Sequence, residues 1–404
     1  MIRHGSSHWS VAKGESQVQA FLEKKNPYKK SFKFKHDRMR LHDYYLFYQE
    51  VEQRGGQSPS VIFESTGHYH EPVLQFLEDH GVTYYLVNPV ISYEAKKVSL
   101  RKVKTDAMDA YHLCELYYKE DLEAFQKKSI QTLNLRNLSR QHDSFTGTYV
   151  QTKLQFHTIL DQVFPEYKGV FGDLFSKVSL HTLLAFPTPR EVEERSIYEI
   201  AHEIHHLCKS RSESWAMKKA EELKYAARNN PYKQTLYYSH LISLKMYSEM
   251  LLQYLKHLSQ LEAEIDAMAQ KFESYHIIRS IPGIGGKIAA TIISEIGEID
   301  RFNNPKKLVA FAGIDPSVHE SGQFKARINR ITKRGSTRLR QILYTAVQCG
   351  LINTRNPRLK EFYDRKREEG KPHKVAVIAC ANKLIHWIYA LLKRKETFVI
   401  YPLP

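Results

Sequence analysis

Residues 60–90 read SVIFESTGHYHEPVLQFLEDHGVTYYLVNPV. Ser60–Glu64 is a short apolar run bounded by turn-forming residues, which predicts a buried strand. Glu71–His80 carries the spacing of an amphipathic helix, and Thr83–Val87 is a second strand closed by Asn88-Pro89. Strand, helix and strand in so short a span predict a parallel pair joined by a right-handed crossover. Glu64 then stands at the carboxyl end of a parallel strand, just before Ser65-Thr66-Gly67, which is where open α/β sheets bind ligands.

Outward from this unit, Ser16–Leu22 and Ser31–Lys35 are short strand candidates, whereas Met1–Trp9 is polar and reads as poor material for a central strand. A further helix is predicted from Asp106 to Lys119, so residues 1–125 read as α/β. From about 126 to 276 strand signals fade. Leu244, Leu251, Leu258, Ile265 and Phe272 recur seven residues apart, with Leu255 at a matching position. That seam predicts a long helix paired with another helix, either within the chain or across a dimer. Residues 277–404 read as mostly helical around a basic loop. There is no low-complexity segment and no internal repeat.

The 404 residues suffice for two or three domains, and 42% hydrophobic with 26% charged residues is an ordinary globular composition. The charge balance is less ordinary. Sixty Lys and Arg against 44 Asp and Glu give a formal net charge of +16. Such a field favours polyanions: nucleic acid or an anionic membrane surface. The most apolar stretch, Val375–Leu392, is interrupted by Asn382, Lys383 and His386 and reads as a buried helix, not a membrane span. No signal-peptide pattern opens the chain. Four scattered cysteines without CxxC spacing suggest reduced thiols, neither a disulfide frame nor a zinc site. The expected location is the cytoplasm, in association with the nucleoid.

Several constellations carry possible chemistry. Asp106 and Asp109 are three apart and share one face near a helix N-terminus, where the dipole favours ionised carboxylates. With Glu64 they form a set of hard oxygen donors suited to Mg²⁺; simple decoration of a first helical turn is the alternative. Arg101, Lys102 and Lys104 precede the acidic pair and suit a phosphate backbone or a solvated face equally well. Ile281-Pro282-Gly283-Ile284-Gly285 has the form of a helix-hairpin-helix turn, in which Gly283 and Gly285 allow backbone amides to approach a phosphate, with Lys287 beside them. A plain tight turn is the other reading. It is not a Walker loop, because Ile288 follows Lys287 where Ser or Thr is required. His319-Glu320-Ser321-Gly322 is followed by Lys325, Arg327, Arg330, Lys333, Arg334, Arg338 and Arg340, with no acid after Glu320 up to that point. A glycine-flanked serine among guanidinium groups suits nucleophilic attack on a phosphoryl centre, although many loop serines do nothing of the kind. His202, His205, His206 and Cys208 read as a polar helical face before they read as a metal site.

The segments 64–81, 87–90 (VNPV) and 104–110 (KTDAMDA), then 280–297, 308–316 (LVAFAGIDP), 320–323 (ESGQ) and 333–344 (KRGSTRLRQILY), resemble in this order the DEDD-type insertion-sequence transposases. These form the insertion sequence 110 family, also described as bridge-RNA-guided recombinases. The resemblance implies an RNase H-like (Holliday-junction-resolvase-like) domain over 1–125, a helical, coiled-coil linker over 126–276 and a C-terminal transposase domain over 277–404. It matches Glu64, Asp106 and Asp109 to the last three metal-binding carboxylates, and Ser321 to the serine that forms a phosphoserine link with DNA. It further implies Mg²⁺, DNA, a structured guide RNA and a homo-oligomer, with no membrane partner. The family pattern opens with a strand ending Gly-x-Asp-Val-Ser/Ala-Lys, whose Asp is the first carboxylate. Here Val11-Ala12-Lys13 fits the tail of that pattern, but Ser10 stands at the Asp position. The nearest acid, Glu15, is five residues on, an odd offset that would point to the opposite face of a continuous strand. The expectation is a decayed, truncated or frameshifted copy with impaired metal binding, or a reading frame whose first strand is encoded upstream. The rival functions are a catalytically inactive nucleic-acid-binding remnant and a junction-resolving nuclease that uses carboxylates alone.

Overall fold

A computed structural model describes residues 6–23, 26–64, 68–87, 108, 113, 116–118, 129–232, 238–317, 320–321, 324–325 and 330–399. The chain divides into two compact units, Met1–Lys127 and Lys128–Pro404.

In the first unit, β1 (Ser6–Ala12), β2 (Glu15–Glu23) and β3 (Asn26–Lys35) form an antiparallel meander. Helix α1 (Arg38–Gly55) follows, then β4 (Ser60–Glu64), α2 (Glu71–Asp79) and β5 (Tyr84–Val87). The sheet order is β3-β2-β1-β4-β5, with β4 parallel to both β1 and β5. The strand-helix-strand reading of residues 60–87 therefore holds. Helix α1 has no counterpart in the sequence reading, yet its caps are legible: the Asp37 side chain accepts from Arg40 N, and Gly56 closes it in the left-handed conformation.

The reading of Met1–Trp9 as a poor central strand needs correction for Ser6–Trp9, because β1 lies in the middle of the sheet, while residues 1–5 lie outside the described residues. Alternation explains how a polar run does this. Trp9 and Val11 face α1 and are buried, and the Trp9 ring packs edge-on against Tyr44 at 4.4 Å and Phe34 at 5.1 Å, and stacks on Phe63 at 5.8 Å. Ser7, on the same face, is satisfied in the interior: the Trp9 indole N–H donates to its Oγ at 3.0 Å and the Tyr44 hydroxyl does so at 3.3 Å. On the other face, Leu113, Leu116 and Tyr117 cover Ile62 and Val87, and the Tyr117 hydroxyl donates to Ser60 Oγ at 3.1 Å. Met108, Leu113 and Leu116–Tyr118 are helical, in keeping with the helix predicted there.

The second unit is built on two long helices, α3 (Ile130–Val163) and α8 (Tyr238–Ala269). Between them lie a short 3₁₀ turn (Pro165–Gly169), α4 (Lys177–Ala185), α5 (Pro189–Glu194), α6 (Ile197–Leu207) and α7 (Glu213–Asn229). Then come α9 (Glu273–Arg279), α10 (Gly286–Ile296), α11 (Pro305–Ala312), the two-stranded β6 (Glu320–Ser321) and β7 (Phe324–Lys325), α12 (Thr337–Leu351), α13 (Pro357–Glu368) and α14 (His373–Arg394). Helices α3 and α8 run antiparallel: His142 meets Glu262, and Tyr149 meets Tyr254. The heptad seam thus finds its partner inside the chain, with Leu244, Leu251 and Ile265 buried. Phe272 is an exception, since α8 ends at Ala269 and Phe272 is the residue preceding α9.

One apolar core joins the Val163 end of α3 and the Tyr238 end of α8 to α4, α6 and α7; a second joins their other ends to α9–α14. Helix α14 is long and apolar enough to cross a membrane by length and composition, but Val377, Cys380, Leu384, Ile385 and Ile388 are buried in the second core. On α6, Ile200, Ala201 and Ile204 face inward while His202 and His206 are exposed.

Trp9→Ala removes the ring on which three aromatic neighbours close. Chemical denaturation should show the first unit destabilised by about 3–5 kcal/mol; a loss under about 1 kcal/mol would mean that β1 does not hold the sheet.

Candidate functional site

Residues singled out from the sequence lie in both units. In the sheet, register decides which residues share a face. Ser10 opposes Gln17, and Gln17 opposes Lys33. Across the parallel pair Trp9 opposes Phe63, so the next positions, Ser10 and Glu64, lie side by side on the face that carries Ile62. Glu64 in turn opposes Val87. The row across this face is therefore Lys33, Gln17, Ser10, Glu64, Val87. The helical residues Leu113, Leu116 and Tyr117 pack on the same face, beside its Glu64 end. Asp106, Asp109, Arg101, Lys102 and Lys104 lie outside the described residues.

The spacing argument for Glu15 is overturned. The chain does not continue as one strand but reverses at Lys13-Gly14, where Gly14 takes φ +76°. Glu15 consequently opposes Ala12 and shares the Ser10 face. Its carboxylate accepts from Lys33 Nζ at 2.9 Å. For a hard divalent cation the described face thus supplies the Glu64 carboxylate at a strand end, while the adjoining row position is a serine and contributes no carboxylate. Among the described residues no group of three or more His, Cys, Asp or Glu side chains is placed to hold a metal ion, and Asp106 and Asp109 lie outside them.

In the second unit, Ser321 sits on a β-arm. It opposes Phe324, and Glu320 opposes Lys325. Below them Pro316 bridges Ile331, Ser317 N donates to Arg330 O at 2.7 Å and Thr332 N donates to Asp315 O at 2.9 Å. The arm leaves and rejoins the helical body at one pinch. Gly313, at φ +66°, ends α11, and a Cβ on Gly335 would fall 2.1 Å from Phe311 O. Only glycine permits that approach, which lets Ser336 N donate to Phe311 O at 2.6 Å and Lys333 N to Gly313 O at 3.1 Å.

The pinch is anchored by Glu295, a residue that the sequence reading passes over. Its side chain is 3% exposed, accepts from Arg140 at 3.0 and 3.3 Å and lies 3.8 Å from Arg136. Ser336, which caps the N-terminus of α12, donates its hydroxyl to the same carboxylate at 3.2 Å. Burial pushes the Glu295 carboxyl up, but the Arg140 hydrogen bonds and the two guanidinium charges outweigh it and leave the group below its usual range. The available signal is a lone acid in the apolar run IAATIISEIG.

The other cations named from sequence have various surroundings. Arg330, Lys333 and Arg334 are exposed. Arg338 pairs with Asp143 at 2.7 Å, and Arg340 donates to Ala312 O at 3.1 Å. Lys287 lies 3.2 Å from His142 Nε2 and 3.6 Å from Glu262. Arg327 lies outside the described residues. Gly283 takes φ +92°, and a Cβ there would come within 2.5 Å of Gly350 Cα. Its demand for glycine is thus a packing demand as well. Gly285 precedes α10 as its N-cap.

Residues 10–165 match a DEDD-type model described as Transposase, and residues 275–364 match the model described as Transposase IS116/IS110/IS902 family. The chain belongs to this transposase family. The first match begins at Ser10, within β1, and takes in β2 to β5; the second runs from within α9 to within α13 and includes the Ser321 arm. The family's DEDD domain has an RNase H-like fold, with which the mixed sheet agrees. The chain is 33% identical to the transposase for insertion sequence element IS1111A of Coxiella burnetii, over 34% of this chain and 38% of that protein. It is 30% identical to an uncharacterized 42 kDa protein of insertion element IS900 of Mycobacterium paratuberculosis, over 33% of each. These alignments span only about a third of the relatives' length. A longer match, 23% identical over 84% of this chain and 81% of the relative, is to the pilin gene-inverting protein of Moraxella lacunata.

Glu295→Gln leaves Arg136 and Arg140 without their counter-charge. Because Arg140 is 45% exposed, the cost falls below that of a fully buried pair, at about 2 kcal/mol near neutral pH. The carboxyl is depressed in the folded state, so its stabilisation is complete above the unfolded value of 4.5 and is lost as pH falls through the lower folded value. Thermal melts of wild type and variant should differ most above about pH 5.5 and converge as the pH drops below about 4; a difference independent of pH would contradict the assignment.

Proposed function

We propose that this chain is a transposase that cuts and rejoins DNA at the ends of an insertion sequence and at its target. The observation that carries the reading is the sheet register, which sets Glu64 beside the position where the family pattern has its first Asp, at the carboxyl end of a parallel strand. Family membership and the net charge of +16 support DNA as substrate. The Moraxella relative, named for inverting a pilin gene, supports recombination.

Glu64, Asp106 and Asp109 would hold Mg²⁺, which when bound supplies charge stabilisation at the phosphate under attack. Ser321 Oγ attacks phosphorus: an Oγ–P bond forms, the bond to a sugar oxygen breaks, and the hydroxyl proton passes by way of a base to the departing oxygen. Rejoining reverses the step with another DNA hydroxyl. Arg330, Lys333, Arg334 and Arg338, with Lys325 and Arg327, hold the flanking phosphates, and Lys102, Lys104, Gly283, Gly285 and Lys287 extend that grip. Residues 1–125 are the metal-carboxylate domain, 126–276 the helical linker and 277–404 the domain with the nucleophile. A structured guide RNA pairing with donor and target, and a homo-oligomer on DNA, follow from the family resemblance. Ser321→Ala should abolish the covalent protein–DNA adduct trapped on labelled element ends, seen as loss of the shifted band in denaturing gels. An undiminished adduct removes Ser321 from the mechanism.

Ser10 favours a second reading, an inactive copy that keeps its grip on nucleic acid. Ser10→Asp places two carboxylates side by side across β1 and β4, which without metal costs roughly 0.2–1 kcal/mol of stability. Mg²⁺ should reverse that cost and raise the melting temperature of the variant more than that of wild type. Strand cleavage should increase in parallel. Equal Mg²⁺ response in the two proteins would show that position 10 is not part of an ion site.

A further inference from the structure

The sheet face that carries Glu64 is divided. Toward the beginning of β1 it is apolar and covered: Phe21 and Ile62 are buried, and Ser6 donates to the Tyr118 hydroxyl at 3.5 Å. Toward the end of β1 it is polar: Gln17 and Glu15 are half-buried and Ala12 is exposed. There the row Ser10–Gln17–Lys33 is followed by the row Ala12–Glu15–Lys35, and Lys33 and Lys35 are exposed on the edge strand. The aromatic residues that alternate with them, Phe32 and Phe34, turn to the other face and pack against Phe47 and Tyr44 of α1. The two lysines are therefore held on the Glu64 face by the same alternation that builds the core.

We propose that Lys33 and Lys35 hold the phosphodiester backbone of a DNA strand on the Glu64 face, a few nucleotides from the phosphate that reacts. The inference rests on the function proposed above and names a substrate-positioning element for it. From β3 to β4 there are three inter-strand spacings, about 14 Å, and a lysine stem shortens the remaining gap. Between the two ends the row offers the neutral Gln17, whose amide can donate to a phosphate oxygen. Charge complementarity runs in one direction along the row, from the Glu64 carboxylate at one end to the Lys33 ammonium at the other. The ion pair between Lys33 and Glu15 does not oppose this. Their side chains are 54% and 43% exposed, so the pair contributes little and exchanges readily for a phosphate. Lysines on an edge strand also discourage sheet-to-sheet association, and the experiment separates that role from this one.

The test is the salt dependence of binding by the full chain to a short labelled duplex, from about 50 to about 200 mM salt. Each lysine–phosphate interaction that is removed lowers the slope of log affinity against log salt by about 0.9. Lys33→Gln with Lys35→Gln should reduce it by roughly 2, whereas Glu15→Gln should leave the slope and tighten binding several-fold. Circular dichroism and gel filtration verify that the variants fold and stay dispersed. An unchanged slope in the double variant overturns the proposal, and aggregation alongside that unchanged slope assigns the lysines to edge protection. A slope that falls with an RNA duplex but not with DNA overturns the assignment of DNA. Absence of DNA binding by wild type counts against the proposed function itself, and so is told apart from failure of this inference.

Discussion

Parallel pairing of β1 with β4, locked by the Trp9 indole between Phe34, Tyr44 and Phe63, determines what every side chain in the first unit faces. A sheet has a side-chain period of two, so a slip of one residue would exchange its faces and send Trp9 into the polar row. With this register Ser7 and Trp9 go to the core, while Ser10 and Glu64 come together on the other side. The hydrogen bonds that the indole and the Tyr44 phenol direct at Ser7 Oγ make the arrangement specific as well as apolar.

A different constraint governs the second unit, where backbone approaches backbone more closely than any side chain allows. Gly335 lies against Phe311 O, Gly283 against Gly350. These approaches turn a loop into an arm with a fixed root, and the Glu295 carboxylate secures that root from below through Ser336, Arg136 and Arg140. One buried charge thereby connects α3, α10 and the start of α12, which no apolar side chain of similar size would orient so closely.

Much of this is legible in the sequence where a single periodicity dominates. The SVIFE and TYYLV strands with the helix between them, and the heptad positions of α8, follow from local patterns. Two features are not legible in that way. Ser6 to Ala12 looks polar because serine is read by its hydroxyl, whereas its small volume and the burial of both Ser6 and Ser7 decide its fate. Glu15 falls on the wrong face when strand parity is counted through a turn, and Gly14 resets the count. In the candidate site, Glu64 and Ser321 stand out through the family pattern, but Glu295 does not. A buried acid draws its meaning from partners about 155 residues distant, and neither propensity nor spacing encodes them.

The antiparallel pair α3 and α8 has one more consequence. Each helix passes without interruption from one apolar core of the second unit into the other, Leu135 and Ile265 at one end, Leu160 and Leu244 at the opposite end. The separation of the cores is therefore metered by helical rise, about 1.5 Å per residue, and their relative twist by about 100° per residue. Gaining or losing a single residue between them would rotate one bundle out of phase with the other, so the length of this stretch is under tighter mechanical constraint than its composition.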